Sequence, residues 1–225
     1  MLHPVIAIDG PAASGKSTVA RLVAQRLHFI YMDTGAMYRA FAWLALQHHI
    51  DPTSRPAVRQ LIASTPTQTR VADDQVTLLL NGLDPTPHIR SPEVNRTVSP
   101  IASIPELREH LVIRQRMVRT DYPLVVEGRD IGTVVFPDTP YKFFLDADPA
   151  VRQQRRAVQG QVDSLSDRDQ RDQSRSVAPL IRAADALFLD SGTHDAETIA
   201  SHIIELSRAR GLAANALPDS PVALS

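Results

Sequence analysis

Cysteine is missing from this chain of 225 residues. That excludes disulfides and thiolate-bound metal or iron–sulfur centres. Lysine is almost missing: of the 24 basic residues, only Lys16 and Lys142 are not arginine. Net positive charge is missing too, since 25 acidic side chains leave a formal charge of −1. A duplex-binding protein carries a basic stripe or surplus, and none is present. Aromatics are sparse and scattered (one Trp, four Tyr, six Phe), so no stacking platform for single strands is suggested. No run of eighteen apolar residues occurs, and the start MLHPVIAIDG puts no basic segment before an apolar one. The expectation is a cytoplasmic protein with neither nucleic acid nor membrane as partner.

What is present is a rhythm. Val5-Ile6-Ala7-Ile8 reads as a buried strand, Thr18–Leu27 as a helix, Phe29–Met32 as a second strand and Ala36–His48 as a second helix. Strand, helix, strand, helix is the order of a parallel α/β sheet. Residues 50–100 interrupt it with frequent Pro and Thr, a strand candidate at Gln75–Leu80 and a turn at Asn81-Gly82, and read as an insertion with a small antiparallel sheet. A helix is expected over Pro105–Arg119, strands at Leu124–Val126, Tyr141–Leu145 and Ala186–Leu189, and a last helix over Ala196–Arg210. The tail 211–225 reads as unstructured.

Between the first strand and the first helix stands Gly10-Pro11-Ala12-Ala13-Ser14-Gly15-Lys16-Ser17, followed by Thr18. It satisfies G-x-x-x-x-G-K-[ST] at every fixed position. Its backbone N–H groups can face phosphates, Lys16 can reach the β- and γ-phosphates, and the Ser17 hydroxyl can bind Mg²⁺ at the helix N-terminus. One of two lysines in an arginine-rich chain falls where a compact ammonium is needed, and a guanidinium does not replace it there. The loop specifies a nucleoside triphosphate donor but not the acceptor. A guanine-reading Asn-Lys-x-Asp is absent, and the small size favours a kinase of a small molecule.

Acceptor candidates follow from topology. Ligands of a parallel sheet collect at the carboxyl ends of its strands. Gly10, Asp33 and Glu127 follow strands, so their loops should meet over one crevice, with Arg39 and Arg129-Asp130 nearby. An Arg from each of two loops can grip an acceptor phosphate as a fork. A third group, Asp167–Arg175, would place Arg168, Arg171 and Arg175 on one helical face beside Asp172, after Arg152, Arg155 and Arg156. The ordinary reading of such a charge run is a solvated helix. The functional reading is a lid that clamps the migrating phosphoryl group and excludes water.

These motifs together resemble the bacterial cytidylate kinases, from about Val5 to Arg210. The likeness rests on IDGPAASGKST, MDTGAMYRA, IRSPEVNRTVSPIASIPELRE, VEGRDIGTVVFPDTPYKFFLDA and RDQRDQSRSVAPLIRAADALFLDS. It implies a three-layer P-loop NTPase fold, a parallel sheet flanked by helices. It implies a core (about 3–49, 100–151 and 176–210), a nucleoside-monophosphate-binding insertion (50–99) and a short lid (152–175). It implies phosphoryl transfer from Mg·ATP to CMP and dCMP by a monomer. ATP would lie on residues 10–18. Lys16, Arg129, Arg155 and Arg171 would act on the transferring group. Thr34, Ser99, Arg108 and Asp130 would frame cytosine, Arg39, Arg129 and Arg175 the acceptor phosphate, and Asp172 with Arg168 the sugar. Two departures stand out. AVQGQVDSLS at 157–166 is shorter than the family's usual lid, and Glu127 stands where some members have Asp. Rivals within the fold would use UMP, AMP, shikimate or dephospho-coenzyme A; a rival of another class is a nucleotide-binding module without catalysis.

Overall fold

The computed structural model describes residues 2–158, 169–172 and 178–213. The strands are β1 (Val5–Asp9), β2 (Ile30–Asp33), β3 (Thr67–Ala72), β4 (Gln75–Leu80), β5 (Leu124–Gly128), β6 (Tyr141–Asp146) and β7 (Leu187–Asp190). They form one sheet in the order β3-β4-β2-β5-β1-β6-β7. All neighbours are parallel except the β3–β4 hairpin.

Period-two alternation explains how the sheet feeds two layers. On β1, Val5 and Ala7 face one core while Ile6 and Ile8 face the other. On β5, Leu124 and Val126 oppose Val125 in the same way. The Ile6–Ile8 side is covered by α1 (Lys16–Leu27) and α7 (Ala196–Ala209). The Val5–Ala7 side is covered by α2 (Thr34–Gln47), α3 (Arg55–Ser64), α4 (Pro92–Ile101) and α5 (Pro105–Val118). A further helix, α6 (Pro149–Val158), follows β6. The result is helix, sheet, helix, as expected.

The interruption at 50–100 behaves differently from its sequence reading. Its hairpin is antiparallel, but it is not a separate sheet: β4 pairs in parallel with β2 at Tyr31–Gln75 and extends the main sheet. The expected turn is present. Asn81 and Gly82 have φ of 52° and 76°, and Leu80 and Leu83 exchange backbone hydrogen bonds of 3.0 and 2.9 Å. The segment also holds α3 and α4, which the sequence reading did not anticipate. Both begin with Pro in the first turn, where a missing N–H costs nothing. Between β5 and β6 the chain makes a single π-helical turn, Ile131–Val135.

Of the lid candidate, residues 169–172 are helical. Arg168, Arg175 and most of AVQGQVDSLS lie outside the described residues, as does the tail from 214. No helix among the described residues is long and apolar enough to cross a membrane.

Candidate active site

The ends of β1, β2 and β5 open on one cleft of about 520 Å³. The phosphate loop forms one wall. Gly15 takes a φ of 83°, a left-handed conformation that suits glycine, and α1 starts at Lys16. Ala12, Ala13, Gly15, Lys16, Ser17 and Thr18 all line the cleft. Lys16 is buried, donates from Nζ to the Pro11 carbonyl at 2.9 Å and lies 3.9 Å from Glu127 Oε2. Ser17 Oγ donates to Glu127 Oε1 at 2.6 Å. Glu127 therefore sits under the donor position, with the Tyr31 hydroxyl on the same oxygen at 3.4 Å.

The second wall begins at Asp33. As the N-cap of α2 it accepts the Ala36 N–H at 2.9 Å. Its Oδ2 also accepts from two guanidiniums, Arg39 at 2.8 Å and Arg90 at 2.9 Å. Burial opposes ionisation of this carboxyl, but the two arginines outweigh it and hold it below the usual carboxylate range. Arg39 is buried and Arg90 half exposed, and both face the cleft.

The third group hangs on the loop after β5. Arg129 Nε donates to Asp172 Oδ2 at 2.9 Å; desolvation of the part-buried guanidinium opposes its charge, but the Asp172 carboxylate outweighs it and raises the pKa above the usual arginine value. Asp130 pairs with Arg108, whose Nη1 also donates to the Ala102 carbonyl at 3.0 Å and whose guanidinium lies 5.3 Å from the Tyr38 ring centre. Thr34 donates to the Glu127 carbonyl at 2.9 Å, and Ser99 lies buried on the cleft wall. Thus Thr34, Arg39, Ser99, Arg108, Arg129, Asp130 and Asp172 converge on the same space as the phosphate loop.

Two expected arginines do not join them. Arg155 bonds Ser191 through its carbonyl at 2.5 Å and its hydroxyl at 3.2 Å, and Ser191 Oγ in turn donates to the Ser14 carbonyl at 2.7 Å. Arg155 therefore braces the outside of the phosphate loop. Its neighbour Arg156, buried at 5% exposure, faces the cleft instead. One step along α6 turns a side chain by about 100°, and here that step sends Arg155 to Ser191 and Arg156 to the cleft. Arg171 is exposed on the 169–172 turn and does not line the cleft, whereas Asp172 beside it does.

The model of the cytidylate kinase family matches residues 6–209. The chain belongs to that family. Curated cytidylate kinases from Pelotomaculum thermopropionicum and Pectobacterium atrosepticum are each 42% identical to this cytidylate kinase family member. The first alignment covers 89% of this chain and 94% of the relative; the second covers 85% and 90%. A bifunctional pantoate ligase/cytidylate kinase from Synechococcus elongatus is 43% identical over 93% of this chain. The alignment spans only 43% of that longer protein. Among solved structures, shikimate kinase from Acinetobacter baumannii with shikimate aligns at a TM-score of 0.46 and 14% identity, too distant for a shared site to be read from it.

Within this family member, sequence reasoning missed Arg90, counted Arg156 only among the arginines that precede the lid, and noted Glu127 only as the end of a strand and as a departure from Asp. Arg90 stands in IRSPEVNR, inside a segment already singled out, but only the pairing of β4 with β2 explains its arrival at Asp33. The Glu127 signal was stronger: an acidic residue near the end of a buried apolar strand beside the phosphate-loop strand.

Proposed function

We propose that this chain transfers the γ-phosphoryl group of Mg·ATP to a 5′-phosphate oxygen of CMP or dCMP. The observation that carries the reading is one cleft with two different walls. One is a phosphate loop; the other pairs a set of guanidiniums with a buried Arg108–Asp130 couple. A phosphate loop with one wall suits hydrolysis, whereas a second cationic wall suits an acceptor that already bears phosphate.

Arg39, Arg90 and Arg129 would hold the acceptor phosphate, exchanging part of their pairing with Asp33 and Asp172 for the dianion. Arg108 and Asp130 would meet the cytosine edge. An Asp accepts from N4 and an Arg donates to O2 or N3. The acceptor's second pKa is about 6 for a phosphomonoester, so it is ionised near neutrality and no general base is needed. Lys16 and Arg156 would meet charge on the transferring group, and Arg155 would keep the loop in place.

The residues present suit Mg²⁺. Ser17 Oγ and the Glu127 carboxylate are hard oxygen donors in contact, next to the loop. Among the described residues no group of three His, Cys, Asp or Glu converges. That fits an ion held chiefly by nucleotide phosphates and water. Bound there, it would neutralise charge on the β- and γ-phosphates.

The test is ADP release from Mg·ATP with CMP, dCMP, UMP, AMP or no acceptor, side by side. CMP and dCMP are expected to dominate. Equal rates with UMP or AMP would refute the cytosine assignment, and release without acceptor would point to hydrolysis instead.

A further inference from the structure

Asp9 is the last residue of β1 and immediately precedes the phosphate loop, yet its side chain does not serve that loop. It accepts the backbone N–H of Ile131 through Oδ1 and that of Gly132 through Oδ2, both at 2.8 Å. These are the opening N–H groups of the π-helical turn Ile131–Val135, and a helical turn leaves its first donors without internal partners. The residue placed to cap that turn, Asp130, makes no side-chain cap; its carboxylate goes to Arg108. The cap is therefore supplied from a strand 122 residues earlier.

The turn so capped begins where the acceptor side of the cleft is built. Arg129 and Asp130 immediately precede it, and each is tied to a partner that also lines the cleft. Space around the cap is closed. A Cβ on Gly132 would come 3.1 Å from Lys142 Cδ and 3.4 Å from Asp9 Oδ2. The charges facing Asp9 are Asp130, just before the turn, and Lys16, at the start of α1. The Lys142 stem packs over Gly132 from β6 while its ammonium goes to Pro137 and Asp185.

We propose that Asp9 is a positioning residue for the acceptor half of the site: its carboxylate fixes the Ile131–Gly132 backbone, and through it the placement of Arg129 and Asp130 relative to the phosphate loop. The inference rests on the reading of CMP as acceptor. It gives the strand that carries the donor loop a second task. The two walls of the cleft are joined through one side chain, so donor and acceptor are held in one frame.

The test is Asp9→Asn, which keeps the shape and one accepting oxygen but turns an NH₂ toward the other N–H. Expected is a rise of about tenfold in KM for CMP, with KM for ATP within about twofold, as for loss of one ionic hydrogen bond on the acceptor side only. A proportional change in both KM values, or neither changed in a folded variant, overturns the proposal. Should Asp9→Asn fail to fold, cytidine binding to the unaltered protein decides. Burial pushes the Asp9 carboxyl up to about 7, and cytidine carries no phosphate that titrates in that range. Affinity falling about threefold or more from pH 8 to pH 6 supports the role, since a protonated carboxyl is the poorer acceptor; a flat profile overturns it. An unaltered protein that releases no ADP with CMP removes the acceptor reading and this inference together. CMP-dependent release beside an unselective Asp9→Asn removes the inference alone.

Discussion

Ser17 and Glu127 stand 110 residues apart in the chain and 2.6 Å apart in the fold, hydroxyl to carboxylate. The contact exists because β1 and β5 are parallel neighbours, with Ile8 opposite Glu127. It joins a first-turn hydroxyl of the phosphate-loop helix to the carboxylate beneath it, which is where a nucleotide-bound Mg²⁺ would be oriented. Glu127→Gln is therefore expected to lower kcat by about 10- to 100-fold and to raise the Mg²⁺ concentration needed for half-maximal rate. CMP binding measured without ATP should be little changed. A Mg²⁺ dependence unaltered in Glu127→Gln would refute this role.

Lys16 has a different signature. Its ammonium lies in the loop, with Pro11 and Glu127 as neighbours. Lys16→Ala removes a charge that matters most as negative charge develops on the transferring group. A loss of about 10²–10³ in kcat is expected, with KM for CMP nearly constant. Lys16→Arg should not restore the rate, because a planar fork cannot occupy the place of a point charge. Near-full turnover of Lys16→Ala in steady-state assays would refute the assignment.

Arg90 and Arg39 share one oxygen of Asp33, but Arg90 is the more exposed and comes from the interruption rather than the core. Arg90→Ala should raise KM for CMP about tenfold, and Arg39→Ala by more, because its ionic bonds are shielded from water. Cytidine has no phosphate for either to hold, so its affinity should stay the same in both variants. Equal losses for CMP and cytidine in a binding titration would show that these arginines shape the cleft instead of holding phosphate.

The parts of this site that were legible in the sequence are those built from adjacent residues. The phosphate loop is one: strand, glycine turn and helix are local, so Gly10–Thr18 could be placed with its chemistry. Asp130 could be placed after its strand, but Arg108 was reached only through the family resemblance, and spacing alone would not have paired them. What stayed hidden depends on strand order and helix phase. Asp9 looks like part of the loop until β5 and the π turn place Ile131 above it. Arg155 and Arg156 are alike in sequence, and only the rotation of α6 sends one to Ser191 and the other to the cleft. The helices α3 and α4 were obscured by their prolines, which read as breakers although they stand at helix starts; Pro100, inside α4, lies near its end.

Gly128 has no freedom to vary. A Cβ there would lie 2.6 Å from both Ile131 Cδ1 and Thr34 Oγ1, and Thr34 is held by its bond to the Glu127 carbonyl. Gly128→Ala is expected to cost about 1–3 kcal/mol through overpacking. For a domain of this size each kcal/mol lowers Tm by roughly 2–4 °C. A melting curve coincident with that of the unaltered protein would show that the β5 end and α2 start are looser than the packing indicates.

The Asp9 carboxyl also leaves a mark on stability. Burial raises it from 3.8 to about 7 in the folded chain, against the hydrogen bonds from Ile131 and Gly132, which pull it down. Between those two values the folded state holds a proton that the unfolded chain has released. The stability contributed by this group is thus fully present below about pH 3.8 and is lost as pH rises through about 7. Carboxyls such as Asp33 are shifted the opposite way, so the whole-protein curve mixes both signs. The difference between the unaltered protein and Asp9→Asn isolates one of them. Thermal unfolding at pH 5, 6.5 and 8 should show the Tm of the unaltered protein falling relative to the variant at each step. A constant difference across that range would mean that Asp9 is already ionised at pH 5, and that the two N–H donors and Lys16 hold its charge against burial more strongly than the geometry implies.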